Sequence, residues 1–98
     1  MKELNQKYIL DGHTPKPVDL MTWAKWFETA NRHVAKNHVG DQFVSTVFLG
    51  IDYNWGEGPP LLFETMILGG KNDQYQERCS TWDEAEKQHA AALAVAKQ

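Results

Sequence analysis

Ser45-Thr-Val-Phe-Leu-Gly-Ile-Asp-Tyr-Asn-Trp-Gly-Glu-Gly-Pro-Pro-Leu-Leu-Phe-Glu-Thr-Met66 decides the fold. Two apolar, β-branched and aromatic runs flank a turn built from Gly56, Gly58, Pro59 and Pro60. Such runs form strands, and Gly and Pro form the loop between them, so residues 42–52 and 61–69 are predicted to pair as an antiparallel hairpin. Trp55 is presented at its tip.

Both strands carry apolar residues on both faces. In the first, Phe43, Val47, Leu49 and Ile51 point one way while Val44 and Phe48 point the other. In the second, Leu61, Phe63 and Ile67 oppose Leu62, Met66 and Leu68. A sheet with one wet face alternates apolar with polar. Two helices can cover one face only, so the other face predicts a homo-oligomer whose interface it forms.

Outward from the hairpin, Tyr8-Ile9-Leu10 reads as a short strand closed by Asp11-Gly12. His13-Thr14-Pro15-Lys16-Pro17 is not helical, because each Pro pushes its predecessor into extended geometry. Asp19 is a good N-cap, and Val18 before it is placed to staple onto Trp23. Leu20, Trp23, Ala24, Phe27, Ala30 and Val34 form one helical stripe, which predicts a helix over 19–38 stopped by Gly40 in a left-handed cap. After the hairpin, Lys71-Asn72-Asp73 makes a turn and 74–79 a more polar strand. Thr81-Trp82-Asp83-Glu84 fits the capping box, and Trp82, Ala85, His89, Ala92, Leu93 and Ala96 form the buried stripe of a second helix. The expected order is β-α-β-β-β-α. That is an α+β domain with an antiparallel sheet of three to four strands and two packed helices.

Residues 1–98 make one domain, and 42% apolar with 23% charged residues is a globular composition. Cys79 stands alone, so no intramolecular disulfide forms, and a reducing cytosol is the expected compartment. Met1 to Gln6 contains no apolar h-region, and the apolar runs are strand-sized, so neither export nor membrane spanning is expected. The net charge is −3 and the basic residues are scattered singly, which argues against nucleic acid as a partner.

Asp11-Gly12-His13-Thr14-Pro15, Trp23-Ala24-Lys25-Trp26-Phe27-Glu28, Val44 to Asp52, Gly58 to Met66 and Ser80-Thr81-Trp82-Asp83-Glu84-Ala85 resemble a small protein family that recurs in bacteriophage and prophage genomes. The resemblance covers nearly the whole chain. It implies a phage origin and a setting in the cytoplasm of the infected bacterial host, and it implies no activity. The chain departs from the family pattern at Tyr53, often His there, and at Cys79, often Tyr, so a role needing His at the hairpin tip is not expected. Small phage proteins without enzyme motifs are often host-takeover or counter-defence factors, an argument by association.

The motifs of common chemistries do not occur. There is no C-x-x-C and no H-E-x-x-H, and His33 and His38 are five apart, about 140° around a helix, so no metal or cofactor is expected. Gly69-Gly70-Lys71 lacks the upstream Gly and the Ser/Thr of a phosphate loop.

Glu64 is the foremost ionisable candidate, as a carboxylate on a largely apolar strand. It serves either a ligand's hydroxyl or amine, or an ion pair with Arg78 or a hydrogen bond with a Thr across the sheet. His89 lies in the apolar stripe of the second helix, as a satisfied core residue or as an acid–base partner of Glu64. Asp52 suits an Asx-type turn or the mouth of a pocket. Thr46 makes either a cross-strand hydroxyl bond or a ligand contact. Trp55 and Trp26 are offered as stacking or anchoring aromatics, Arg78 for phosphate.

Three functions follow. The first is capture of a polar or nucleotide-like small molecule by Glu64, Trp55, Trp26, Arg78, Asp52 and Thr46 at an oligomer interface. The second is inhibition of a host protein through the 53–60 loop. The third is a small hydrolase using Glu64 and His89. Binding is expected over catalysis.

Overall fold

A computed structural model of the chain describes residues 6–98. It runs through strands β1 (Lys7–Asp11) and β2 (Thr14–Val18), helix α1 (Leu20–Thr29), strands β3 (His33–Val39), β4 (Gln42–Phe48), β5 (Phe63–Leu68) and β6 (Gln76–Cys79), and helix α2 (Trp82–Ala96). A 3-10 turn lies at Gly70–Asn72. The class is α+β, as expected, and the order β-β-α-β-β-β-β-α contains two more strands than the sequence predicted.

The first extra strand is the Pro-containing segment. β2 pairs antiparallel with β1, and Pro17 and Pro15 stand opposite Tyr8 and Leu10. Alternate residues of an antiparallel strand turn their N–H away from the partner, so prolines fit there without breaking the ladder.

The second comes from the far half of the helix predicted over 19–38. Asp19 caps α1 as expected, its Oδ1 accepting from the Thr22 amide at 2.8 Å. The helix stops at Thr29, because Ala30 is already extended (φ −73°, ψ 142°). Asn31 Oδ1 accepts from the His33 amide at 3.1 Å, an Asx turn that competes with helical continuation. Residues 33–39 then find hydrogen-bond partners along β4. Strand pairing wins over the helical periodicity, since tertiary contact routinely overrides local propensity. Gly40 has the expected positive φ (61°), but it opens the two-residue β3–β4 hairpin loop and caps no helix.

β3-β4-β5-β6 form a four-stranded antiparallel meander. The central hairpin is shorter than predicted, 42–48 paired with 63–68. Its alternation is nearly as expected: Val44, Thr46 and Phe48 of β4 and Phe63, Thr65 and Ile67 of β5 are buried on one face. Leu62 is the exception. It is buried just before β5, where its amide bonds the Cys79 carbonyl.

α2 begins with the predicted capping box and lies across β3, β4, β5 and β6. Two apolar clusters fill the space beneath it. Val44, Ile67, Ala92 and Ala96 make one, and Phe48, Leu62, Phe63 and Ala85 the other. Buried Gln42 donates to the Ala96 carbonyl at 2.7 Å and accepts from Asn72 at 2.9 Å, satisfying backbone that the last turn of α2 leaves unpaired.

α1 sits at the edge of the second cluster and has no fully buried residue. Leu20, predicted on the inner stripe, is 60% exposed. The inward side is instead Trp23, Trp26 and Phe27, all half-buried. Trp23 and Phe27 lie against Gly50, where φ is +79° and an added Cβ would come within 2.9 Å of the Phe27 ring. The Tyr8 amide bonds the Gly50 carbonyl at 2.9 Å, so β1 and α1 both dock on this glycine. Gly69 has the same role at the other end, where a Cβ would meet the Asp41 carbonyl at 2.5 Å. The Gly69-Gly70 pair thus serves close backbone packing.

Candidate functional site

Strand alternation divides the candidate residues between the two faces of the sheet. On the face away from α2 stand Phe43, Ser45 and Val47 of β4 and Glu64, Met66 and Leu68 of β5. Leu68 is 40% exposed and the others are half-buried. Register brings Val47, Glu64 and Arg78 into one row across this open face and Lys36, Ser45, Met66 and Gln76 into the next.

Glu64 is the centre of a polar corner here. Its Oε2 accepts from Arg78 Nε at 2.9 Å and from Gln76 Nε2. The Arg78 guanidinium also lies over the Tyr53 ring, 4.7 Å from its centroid. Tyr53 begins the loop to Trp55, which is 66% exposed. Among the described residues, the terminal nitrogens of Arg78 donate no hydrogen bond, and the side chain is 35% exposed. An arginine held through Nε and stacked on an aromatic ring has lost much of its rotamer freedom. Fixing it for a ligand would therefore cost less rotamer entropy than for a free arginine.

The expected Glu64–Arg78 pairing is therefore present. Glu64 and His89 do not meet, because α2 packs on the face bearing Thr65 while Glu64 points to the other.

Beneath α2 the chemistry is different. His89 is 5% exposed and Thr46 and Thr65 are fully buried. The Thr46 hydroxyl lies 2.7 Å from His89 Nδ1 and 2.6 Å from the Thr65 hydroxyl. His89 Nε2 is 2.8 Å from Asn37 Oδ1. Gln88 Nε2 donates to Thr65 at 3.0 Å and to the Glu77 carbonyl at 2.8 Å. Burial lowers the His89 pKa, favouring the neutral ring. Thr46–His89–Asn37 has the order of nucleophile, base and orienting group. The Thr46 hydroxyl is sealed under the helix, however, so no substrate carbonyl can approach it.

The remaining candidates are built into the fold. Asp52 is buried, and its Oδ1 accepts from the amides of Asn54 (2.7 Å) and Leu61 (2.9 Å), closing the base of the Trp55 loop as an Asx turn. Trp26 packs edge-on against Phe48, ring centroids 5.8 Å apart at 87°. Burial, with the Glu84 carboxylate second, pushes the Cys79 thiol up to about 11. Among the described residues no group of three His, Cys, Asp or Glu side chains is placed to share a metal ion, and no helix is long and apolar enough to cross a membrane.

Compared with protein-family models, curated proteins and solved structures, the chain matches none.

Several partners were not foreseen. Asn37 was hidden by the predicted helix, and Gln88 by its place on a wheel flank. Tyr53 follows Asp52 in an irregular segment, where no period points to Arg78. His13 stacks on Trp82 at 3.7 Å, nearly parallel at 4°, which fastens the β1–β2 turn to the start of α2. The one advance signal was Thr46 and Thr65, two hydroxyls at inward positions of adjacent strands.

Proposed function

We propose that the protein is a phage accessory factor, of the counter-defence kind, that acts by binding and captures a polar or nucleotide-like small molecule at an oligomer interface on the open sheet face. The observation that carries this reading is Arg78, held by Glu64 and Tyr53, with terminal nitrogens that bond no described residue, beside the half-buried apolar side chains Val47 and Met66. A cation beside apolar surface suits an anion with an apolar or aromatic body, and Trp55 is exposed enough to stack on one. Of the six residues nominated, Glu64, Arg78 and Trp55 remain as ligand contacts. Trp26, Asp52 and Thr46 are occupied by packing or internal hydrogen bonds. The phage setting rests on the resemblance of the sequence.

Native mass spectrometry of protein purified gently from bacteria, set against its denatured mass, tests the proposal. A defined oligomer with a reproducible extra mass, lost in Arg78→Ala and reduced in Glu64→Gln, is expected. A bare monomer overturns it.

A second reading rests on Trp55 itself. A tryptophan 66% exposed on a loop whose base is closed by Asp52 is a suitable anchor for a host protein. In that case Trp55→Ala abolishes capture of the host target and Arg78→Ala does not.

A further inference from the structure

We infer that Asn37, Thr46, Thr65, Gln88 and His89 form a proton-ordered latch that holds α2 on the sheet while His89 is neutral and releases it when the ring gains a second proton. Thr46, Thr65 and His89 are buried between the two apolar clusters, with half-buried Gln88 and exposed Asn37 at the rims, so the helix rests on apolar contacts near both ends and on hydrogen bonds in the middle.

One arrangement gives every polar proton of the set an acceptor. The Glu77 carbonyl only accepts, so the Gln88 side chain must turn its NH2 toward β6. The same nitrogen donates to the Thr65 oxygen, and the acceptor of the set within reach of the Thr65 proton is the Thr46 oxygen. Thr46 in turn donates its proton to His89 Nδ1. The ring is thus required to accept at Nδ1 and to carry its proton at Nε2, where it donates to Asn37 Oδ1. One backbone carbonyl therefore selects the tautomer of a histidine three side chains away.

A proton added at Nδ1 would face the Thr46 hydroxyl proton. Accommodating it requires Thr46 to turn its proton to the Thr65 oxygen, whose second lone pair accepts it beside Gln88, and the Thr65 proton is then left buried without an acceptor among the described residues. No charge nearby offsets the cost. Asn37 from β3, Thr46 from β4 and Thr65 from β5 are neutral. The ionisable side chains that register places on this face of β6 are Cys79, opposite Phe63, and the exposed Glu77. On α2 itself Glu86 and Lys87 are exposed. Burial acts in the same direction, lowering the affinity of the ring for the second proton.

Two measurements on the full chain test the latch. Long-range nitrogen–proton NMR at pH 7.5 is expected to show His89 as the Nε2–H tautomer with a bare, hydrogen-bonded Nδ1. An Nδ1–H tautomer, or a ring already charged at that pH, overturns the proposal. Amide exchange of α2, corrected for its intrinsic pH dependence, is expected to become roughly tenfold more frequent between pH 7.5 and 5.5. That is the factor set by a ring that titrates freely near 6.5 only when released. His89→Gln, which keeps hydrogen-bonding groups but cannot titrate, should hold that change below about twofold. Equal acid sensitivity in both proteins overturns the latch. If His89→Gln does not fold, the tautomer measurement decides alone.

Discussion

The Thr46 hydroxyl stands 2.6 Å from the Thr65 hydroxyl across the β4–β5 pair, both fully buried beneath α2. Replacing Thr46 with Val keeps the shape and removes the hydroxyl that links His89 Nδ1 to Thr65. It leaves the ring nitrogen without a partner and takes one from the Thr65 hydroxyl, which costs about 2 kcal/mol. Thermal unfolding should shift down by roughly 10 °C for a domain of this size. The Thr46→Val/Thr65→Val pair should cost less than the sum of its single changes, because the two residues share one chain of bonds. Strict additivity would mean that the hydroxyls act independently.

Asp52 governs the loop rather than a ligand. One carboxylate oxygen accepts from amides on both sides of the loop, Asn54 and Leu61. Asp52→Ala leaves buried amides unpaired and should cost about 2–3 kcal/mol, while Asp52→Asn, which keeps an acceptor oxygen, should cost roughly half as much. Limited proteolysis gives the local readout. Cleavage within 53–60 should accelerate more in the Ala variant than in the Asn variant, and equal rates in all three proteins would remove Asp52 from this role.

The central hairpin, the capping box at Thr81 and the inward stripe of α2 were legible because each depends on neighbours in sequence. Residues 33–39 were not. Val34 continues the α1 periodicity, and nothing local reveals that β4 offers this segment a full ladder of hydrogen bonds. The candidate site was legible where one strand faces the next, as with Glu64 and Arg78, because alternation and turn length set the register. It was illegible where the partner comes from a distant element. Asn37 reaches His89 across 52 positions of sequence, and Arg78 reaches Tyr53 through a loop without a period. Both faces of the central strands are apolar, as read. On the open face, though, Phe43, Val47 and Met66 are half-buried, Phe43 against the His38 ring, and Leu68 is the more exposed residue.

Cys79 should behave as an inert thiol in the folded protein. With its pKa near 11, raised by burial first and by Glu84 second, the thiolate is scarce at neutral pH. Alkylation by iodoacetamide at pH 7.5 should run about a hundredfold slower than for the urea-unfolded chain. The sign for stability follows from proton binding. Between about 8.5 and 11 the folded state keeps a proton that the unfolded state loses. The thiol's contribution is therefore complete below about 8.5 and declines as pH rises toward 11. Cys79→Ser should alter that alkaline limb, and an unchanged limb would show that Cys79 is not its source.

Gly50 is one contact through which the N-terminal hairpin and α1 join the sheet. Its φ of +79° disfavours any side chain, and a Cβ there would stand 2.9 Å from the Phe27 ring and 3.0 Å from Trp23 Nε1. Gly50→Ala therefore combines backbone strain with overpacking, together about 3 kcal/mol. Strain alone would be insensitive to what lies opposite, whereas overpacking is not. Phe27→Leu should consequently recover part of the loss in the double variant while destabilising the parent. Urea unfolding of the four proteins closes the cycle. A coupling energy near zero would mean that the glycine is required only for its backbone angle, and a favourable coupling of about 1 kcal/mol would show that close packing of α1 also requires it.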